Sequence, residues 1–280
     1  MKICRFNNSR TGLIDAHEVI DITDRLNELG FGATETALGV ARLPDASIAE
    51  LRANCPRLPI ESVSLSSPVL APGKVVAAPI NYRAHIAEML GNGQAFGHMQ
   101  TDIRQAGLFL KASSSVVGAG QGIAQRFLDR RTDHEIELCA VIGRVAANVR
   151  SEDALACVAG YCLGLDITVR GPEDRSFRKS IDTYCVLGPW LVTPDEVPDP
   201  TGIDLELTVN GEARQRTNTS DMVMSVAELI AYASSFYTLH PGDVLMTGTP
   251  QGVGPIRPGD RLVATGTGLG SMTTVVRAAE

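Results

Sequence analysis

The hydrophobic and polar residues of this chain alternate in short runs that are typical of β-strands. Branched and aromatic residues bounded by glycine, proline or asparagine predict strands at residues 75–78, 109–112, 136–142, 163–169, 190–192, 204–209 and 244–247. Asn210-Gly211 is a hairpin-turn signal between the segments LELTV and EARQR. Within the predicted strand at 136–142, residues 138–142 are all apolar, which indicates a strand buried on both faces.

Helical patterns are fewer. A helix is predicted from near Asn81 to Gly91, another after Ser151, and a third from Ser225 with Glu228 completing a capping box. In the first 70 residues, strands are predicted at 2–6 and 19–22, with helices at 24–29 and from Ser47. Many strands with few helices indicate an α+β, mainly β protein rather than repeated βαβ units.

Proline and glycine mark a change of character near residue 70, where Pro68, Pro72 and Gly73 interrupt the chain. We therefore predict a small N-terminal domain over residues 1–70 and a larger domain over residues 71–280.

Two glutamates precede the buried run and raise a chemical question. Glu135 and Glu137 are two residues apart, so in a strand their side chains point the same way. One interpretation is a solvated strand end, and Asp133 on the same face is interpreted as its exposed entry. The other interpretation is an interior pair, which must be protonated, paired with a cation or bound to a metal.

A third acid favours the metal. Asp166 lies within another apolar strand pattern, between Leu165 and Ile167. Three carboxylate ligands from two strands suit Mg²⁺, Mn²⁺ or Ca²⁺. Zinc is disfavoured because paired Cys or His ligands do not accompany them.

Two further elements offer chemistry. His85 and Glu88 are three residues apart on a predicted helix, where a carboxylate can orient an imidazole as a general base, although a surface pair has the same spacing. Lys179 precedes an apolar strand and is either a solvated loop charge or a cation that stabilises an oxyanion.

Composition excludes several classes of function. The chain has 280 residues, a net charge of −7 and no basic run, which argues against a nucleic-acid partner. Apolar stretches are shorter than a membrane span requires, and the N-terminus MKICRFNNSR lacks the apolar core of a signal peptide. Six cysteines without a CxxC pair indicate reduced thiols, buried in the case of Cys139 and Cys162, and a cytoplasmic protein.

Some apparent motifs fail on spacing. GAGQG at 118–122 lacks the features of a nucleotide loop and is interpreted as a turn, and HEIEL is not the HExxH motif of zinc proteases. TGTPQGVG contains glycines that suit either close approach to a ligand or tight turns.

Together these segments resemble the fumarylacetoacetate hydrolase family over nearly all of residues 75–278. The segments that carry the resemblance are NYRAHIAEM, LFLKASSSVVGAG, DHEIELCAVIGR, VAGYCLGLDITVR, RKSIDTYCVLGPWLVTPDEV, VNGEARQ and HPGDVLMTGTPQGVGPIRPGD. The resemblance implies a catalytic domain built as a mixed β-sandwich roll, a small N-terminal domain, and assembly as a homodimer.

The resemblance also implies roles for individual residues. Glu135, Glu137 and Asp166 match the ligands of a divalent metal. The pair that activates water matches His85 and Glu88, and Lys179 matches the active-site lysine. The positions that match substrate-binding residues are Arg170, Thr249, Tyr82 and Lys111.

The chain departs from the family pattern at three positions. Leu165 stands where asparagine is common, Gly171 where aspartate is common, and Val186 where proline is usual. These changes bear on the hydrogen bonds around the metal ligands and on the substrate pocket. They indicate a divergent subgroup.

The leading hypothesis is hydrolytic C–C cleavage of an acylpyruvate or related 2,4-diketo acid, giving pyruvate and a carboxylic acid. The alternatives are isomerisation of a hydroxymuconate-type acid, decarboxylation of a 2-oxo acid such as oxaloacetate, and a metal-stabilised binding protein with a decayed site. A lid is predicted over residues 84–104. His98 within it is interpreted as a solvent-facing loop histidine, and the alternative is that it reaches the site when the lid closes.

Overall fold

The computed structural model describes residues 1–31, 36–91 and 102–279. Residues 92–101 of the predicted lid, with His98 among them, lie outside these ranges. The helices within the described ranges are α1 Thr23–Glu28, α2 Thr36–Val40, α3 Asp45–Asn54, α4 Arg83–Gly91, α5 Ile103–Ala106, α6 Ser151–Ala154, α7 Arg175–Lys179 and α8 Val226–Ser234. None of them is long and apolar enough to cross a membrane.

Strands dominate the fold, which confirms the α+β, mainly β prediction. In chain order they are β1 Lys2–Phe6, β2 Arg10–Asp15, β3 Glu18–Asp21, β4 Arg57–Pro59, β5 Leu65–Ser66, β6 Val75–Ala77, β7 Phe109–Lys111, β8 Val116–Gly118, β9 Ile123–Gln125, β10 Thr132–His134, β11 Ile136–Ile142, β12 Val158–Asp166, β13 Thr168–Val169, β14 Cys185–Val192, β15 Asp204–Val209, β16 Glu212–Asn218, β17 Val244–Met246, β18 Gly254–Ile256, β19 Arg261–Gly266 and β20 Gly270–Ala278.

The strands form three sheets in the described part of the chain. The largest runs in the order β4-β3-β2-β1-β14-β12-β11-β17-β6-β7, with β5 beside β1 and β8 beside β14. A second sheet has the order β16-β15-β19-β20-β9, and a short third sheet has the order β13-β10-β18. Strands of the first 66 residues therefore continue the main sheet through the pairing of β1 with β14. The division into domains at residue 70 stays a prediction.

Burial follows the residue pattern of each strand. All seven residues of β11 are buried, and its apolar residues 138–142 divide between two hydrophobic clusters, as expected for a strand covered on both faces. In β20 buried and exposed residues alternate, which is the pattern of a strand with one face on the core. The hairpin between β15 and β16 turns at Asn210-Gly211, where both residues have positive φ.

Three details of the sequence predictions need correction. Residues 163–169 are not one strand, because β12 ends at Asp166 and Thr168–Val169 pairs with β10 in the short sheet. The predicted strand at 190–192 begins earlier, at Cys185. The helix predicted from Ser47 begins at Asp45 after Pro44 and has no side-chain cap, so that capping box does not form. The Ser225–Glu228 capping box is present.

All six cysteines carry free thiols, and Cys139 and Cys162 are buried in the main sheet, as predicted. GAGQG at 118–122 forms a 3₁₀ turn between β8 and β9, which confirms that it is a turn.

Candidate metal and catalytic site

The pairing of β11 with β12 brings the three predicted acids to one place. The strands are antiparallel and Ile136 lies opposite Leu165, so the start of β11 is beside the end of β12. The N–H of Asp166 donates to the carbonyl oxygen of Glu135 at 2.8 Å. One carboxylate oxygen from each of Glu135, Glu137 and Asp166 lies within 4.8 Å of the others. The convergence predicted from the sequence is confirmed.

The three carboxylates are buried, with exposed fractions of 6% for Glu135 and 1% for Glu137 and Asp166. The interpretation of Glu135 and Glu137 as a solvated strand end is therefore wrong. The interpretation of Asp133 as an exposed strand entry is also wrong, because Asp133 is fully buried and pairs with two arginines. Its oxygens accept from Nε of Arg131 and Nε of Arg170, each at 2.7 Å. The acids enter the interior because cations accompany them.

Lys179, at the end of α7, is a cation that contacts two of the three acids. Its Nζ donates to Glu135 Oε2, Asp166 Oδ2 and Thr168 Oγ1, each at 2.6 Å. Burial opposes its charge, but Asp166 and Glu135 outweigh burial and raise the pKa of Lys179. The interpretation as a solvated loop charge is therefore wrong.

Lys111 and Arg170 complete the ring of cations. Lys111 Nζ donates to Asp166 Oδ1 and, at 3.0 Å, to the carbonyl oxygen of Tyr184, and its side chain is fully buried. Arg170 Nη2 donates to Glu135 Oε1 at 2.9 Å. Burial would raise the pKa of Glu135, but Lys179 and Arg170 outweigh it and hold that pKa at about 2.

Glu137 differs from the other two acids because, within the described ranges, it pairs with none of the cations. Its Oε2 accepts one hydrogen bond, from the N–H of Gly248 at 2.7 Å. Burial and repulsion from Asp166 raise the pKa of Glu137 well above its usual value. Three buried carboxylates that lie close together, of which Glu137 has no cationic partner within the described ranges, offer oxygen ligands that suit a hard dication.

His85 and Glu88 lie on α4 and face each other. Nδ1 of His85 is 3.4 Å from Oε2 of Glu88, a long hydrogen bond of the kind that often shortens when substrate binds. His85 lies close enough to Glu135 to lower its pKa. The N–H of Gly252 donates to both oxygens of Glu88, at 3.3 and 3.2 Å.

The loop TGTPQGVG therefore supports the site through its backbone. Gly248 and Gly252 have φ values of +96° and +87°, and a Cβ at Gly252 would lie 2.1 Å from the carbonyl oxygen of Arg214. Thr249 is buried in the same loop, where its Oγ1 accepts from Nε2 of Gln215 at 2.9 Å. The sequence offered tight turns and close approach to a ligand as alternative reasons for these glycines. The structure shows the turns, and the backbone N–H groups of the loop approach the side chains of Glu137 and Glu88.

Tyr82 is fully buried, and its hydroxyl has no hydrogen-bond partner among the described residues. Burial and the charge of Glu137 raise the pKa of that hydroxyl. Tyr82 thus presents a buried hydroxyl that has no partner among the described residues.

Gly171 allows an arginine to pass where a side chain would otherwise lie. Arg130 Nη1 and Nη2 donate to Glu173 at 3.0 and 2.7 Å, and Nη2 also donates to the carbonyl oxygen of Arg170 at 2.9 Å. A Cβ on Gly171 would lie 1.9 Å from Arg130 Nη2. Glycine at this position is therefore matched to Arg130.

This match gives a double-mutant prediction. Gly171→Ala should displace the guanidinium and destabilise the protein by about 1 kcal/mol, the usual net contribution of such hydrogen bonds. In an Arg130→Ala background the same change should cost less, because only the contact with Glu173 remains, whose Oε2 would lie 2.4 Å from the Cβ at the end of a flexible side chain. Urea unfolding measures both. Gly202→Ala, with nothing within 4 Å of its Cβ, is the control; equal costs of Gly171→Ala in both backgrounds would contradict the match.

Sequence reasoning missed several residues of the site. Thr168 accepts from Lys179, the N–H of Gly248 donates to Glu137, and Gln215 contacts both the acidic strand and the TGTPQGVG loop. Gln215 lies in a polar strand sequence, EARQRTN, which carries no sign that this one side chain is buried.

Comparison with known proteins agrees with this geometry. A maleylpyruvate hydrolase from Aquipseudomonas alcaligenes is 49% identical over 288 residues, covering 99% of both chains. The crystal structure of a maleylpyruvate hydrolase from Sphingobium sp. SYK-6, in complex with manganese(II) ion and pyruvate, is 35% identical, covers 100% of both chains and has a TM-score of 0.85. A 5-carboxymethyl-2-hydroxymuconate delta-isomerase from Mycobacterium smegmatis is 29% identical over 100% of both chains, with a TM-score of 0.75.

The fold implied by the sequence resemblance is confirmed by these superpositions. Residues 74–277 match the family model described as Fumarylacetoacetate (FAA) hydrolase C-terminal. This chain belongs to the fumarylacetoacetate hydrolase family.

Proposed function

We propose that this protein is a divalent-metal-dependent hydrolase that cleaves a C–C bond of an acylpyruvate, releasing pyruvate and a carboxylic acid. The observation that carries the proposal is the buried trio Glu135, Glu137 and Asp166 beside the His85–Glu88 pair. The maleylpyruvate hydrolases that resemble the chain over its full length support the same reaction.

Glu135, Glu137 and Asp166 are the residues that would hold the ion, and Mg²⁺ or Mn²⁺ suits three oxygen donors. The chemistry that a dication supplies in such a site is polarisation of the 2-oxo group and orientation of the neighbouring carboxylate.

Charge balance favours an anionic substrate once a dication is bound. Four buried carboxylates contact or adjoin four cations, so the group is formally neutral without an ion: Asp133, Glu135, Glu137 and Asp166 against Lys111, Arg131, Arg170 and Lys179. A dication then adds two positive charges, which a substrate with two negative charges neutralises.

His85 is proposed as the general base. A proton on Nδ1 points to Glu88 and leaves the Nε2 lone pair free to take a proton from water. Glu88 is itself held by the N–H of Gly252, so the orientation of the imidazole is fixed from the loop side. The hydroxide attacks the acyl carbonyl, the bond to the pyruvate methylene carbon breaks, and pyruvate leaves as its enolate, which takes up a proton.

Lys179 is proposed to stabilise the oxyanion, with one condition. Its three N–H donors are directed at Glu135, Asp166 and Thr168. Lys179 can donate to substrate only when another positive charge takes over the compensation of the two carboxylates. For Lys111 we propose support of Asp166, since its contacts are with protein atoms.

Arg170, Tyr82 and Thr249 are proposed to contact the substrate. Arg170 is partly exposed, and the hydroxyl of Tyr82 is unpaired among the described residues. Homodimer assembly and a cytoplasmic location stay predictions.

Product analysis tests the proposed reaction. Purified protein with Mn²⁺ should convert an acylpyruvate to equimolar pyruvate and a second acid, as followed by chromatography and mass spectrometry. The Mycobacterium smegmatis relative is named as an isomerase. Isomerisation would convert a hydroxymuconate-type acid to a product of unchanged mass. Carbon dioxide from oxaloacetate would indicate decarboxylation. Either of these in place of pyruvate release from every acylpyruvate tried would contradict hydrolysis.

A further inference from the structure

Gln215 is a buried amide that joins two separate parts of the proposed site. It lies in β16, at an edge of the second sheet, and is 1% exposed. Its Oε1 accepts from the N–H of Ile136 at 3.0 Å and is 3.0 Å from Nδ1 of His134. Its Nε2 donates to Thr249 Oγ1 at 2.9 Å and to the carbonyl oxygen of Pro250 at 3.0 Å. All four hydrogen-bonding directions of the amide are therefore used.

The oxygen side of Gln215 holds the strand that carries the acids. His134 and Ile136 are the residues immediately before and after Glu135, so Oε1 contacts the chain on both sides of that carboxylate. This junction between β10 and β11 is also where the chain passes from the short sheet to the main sheet. Fixing it fixes the direction in which Glu135 points.

The nitrogen side of Gln215 holds the TGTPQGVG loop. In that loop the N–H of Gly248 donates to Glu137, and the N–H of Gly252 donates to Glu88. Thr249 and Pro250, the two acceptors of Gln215, lie between these glycines. One side chain thus sets the distance between the acidic strand and the backbone donors that hold Glu137 and Glu88.

We propose that Gln215 is a positioning residue that couples the geometry of the metal-binding acids to that of the His85–Glu88 pair. The inference rests on the proposed function of both groups. Only an amide satisfies the pattern, because a carboxylate lacks donors, an apolar side chain lacks both, and the partners are buried groups that need hydrogen bonds.

The test compares Gln215→Met with Gln125→Met. Gln125 is also buried, at 3% exposure, but lies on β9 at the opposite edge of the same sheet. We expect Gln215→Met to lower Mn²⁺ affinity roughly 10-fold or more and kcat by a similar factor, the range seen when hydrogen bonds around metal ligands are removed, with a smaller change in KM. Calorimetric Mn²⁺ titration and steady-state kinetics provide the readouts, and Tm of both variants reports the loss of packing.

A purely structural role predicts equal results for the two variants once both are folded, and that outcome overturns the inference. If Gln215→Met does not fold, Gln215→Glu decides, because it keeps the oxygen that faces Ile136 and gives up the amide donor. Because the released loop carries the N–H donors to both Glu137 and Glu88, this variant should lower both Mn²⁺ affinity and kcat about tenfold; unchanged Mn²⁺ affinity, kcat and KM would overturn the inference. Wild-type protein that binds no Mn²⁺ would instead refute the proposed function.

Discussion

Replacing Glu137 with glutamine should weaken Mn²⁺ binding by more than about 100-fold, because even the loss of hydrogen bonds to metal ligands costs 10- to 100-fold. Glu137 pairs with none of the cations in the described ranges and is the acid whose pKa burial and Asp166 raise most clearly. The same change removes a like charge from the interior, so the metal-free variant should melt at a higher temperature than metal-free wild type. Calorimetry and thermal unfolding with and without Mn²⁺ measure the two effects.

Mn²⁺ affinity should fall while the stability of the metal-free protein rises. A substitution that simply disrupts the fold would lower both. Glu206→Gln serves as the control, since Glu206 is a strand carboxylate paired with Arg216 in the second sheet. It should leave Mn²⁺ affinity unchanged. Wild-type affinity in Glu137→Gln would remove Glu137 from the proposed ligands.

His85→Ala should lower kcat by about 10²- to 10⁴-fold, the range for a general acid–base group, while Mn²⁺ affinity stays close to wild type. The reason is geometric, because the imidazole contacts Glu88 on α4 whereas the proposed ligands lie on the sheet. Stopped-flow or steady-state measurement of pyruvate release gives kcat, and calorimetry gives the affinity.

His17→Ala, an exposed histidine in a turn between β2 and β3, is the matched control and should behave as wild type. Glu88→Gln should show a smaller loss than His85→Ala, because it leaves the base in place but weakens its orientation. Loss of Mn²⁺ binding in His85→Ala would contradict the role of base and indicate that His85 supports the ion instead.

Much of the fold follows from local patterns. The apolar run 138–142 in β11 and the alternation in β15 with its Asn210-Gly211 turn are properties of adjacent residues, so they can be read from the sequence. The break after Asp166 cannot, because Ile167, Thr168 and Val169 continue the apolar, branched pattern while pairing moves to another sheet. The joining of β1 to β14 is a contact between distant segments and leaves no local signal.

The candidate site shows the same division. Carboxylates within apolar runs are locally anomalous, and this predicted the convergence of Glu135, Glu137 and Asp166. Asp133 was misinterpreted because its burial depends on Arg131 and Arg170, and the pairing with Arg170 crosses 37 residues of chain. The family resemblance was the source of the substrate-binding roles given to Arg170, Thr249, Tyr82 and Lys111. In the structure Lys111 donates to Asp166 and to the carbonyl oxygen of Tyr184.

The central claim is that three buried carboxylates hold a dication on which C–C hydrolysis depends. The direct measurement is a titration of Mn²⁺ into chelator-dialysed protein, with binding followed by calorimetry and pyruvate release from an acylpyruvate followed in the same samples. The account predicts one ion bound per chain and pyruvate release that rises in proportion to occupancy from a value near zero. Full pyruvate release from protein that holds no ion would contradict it.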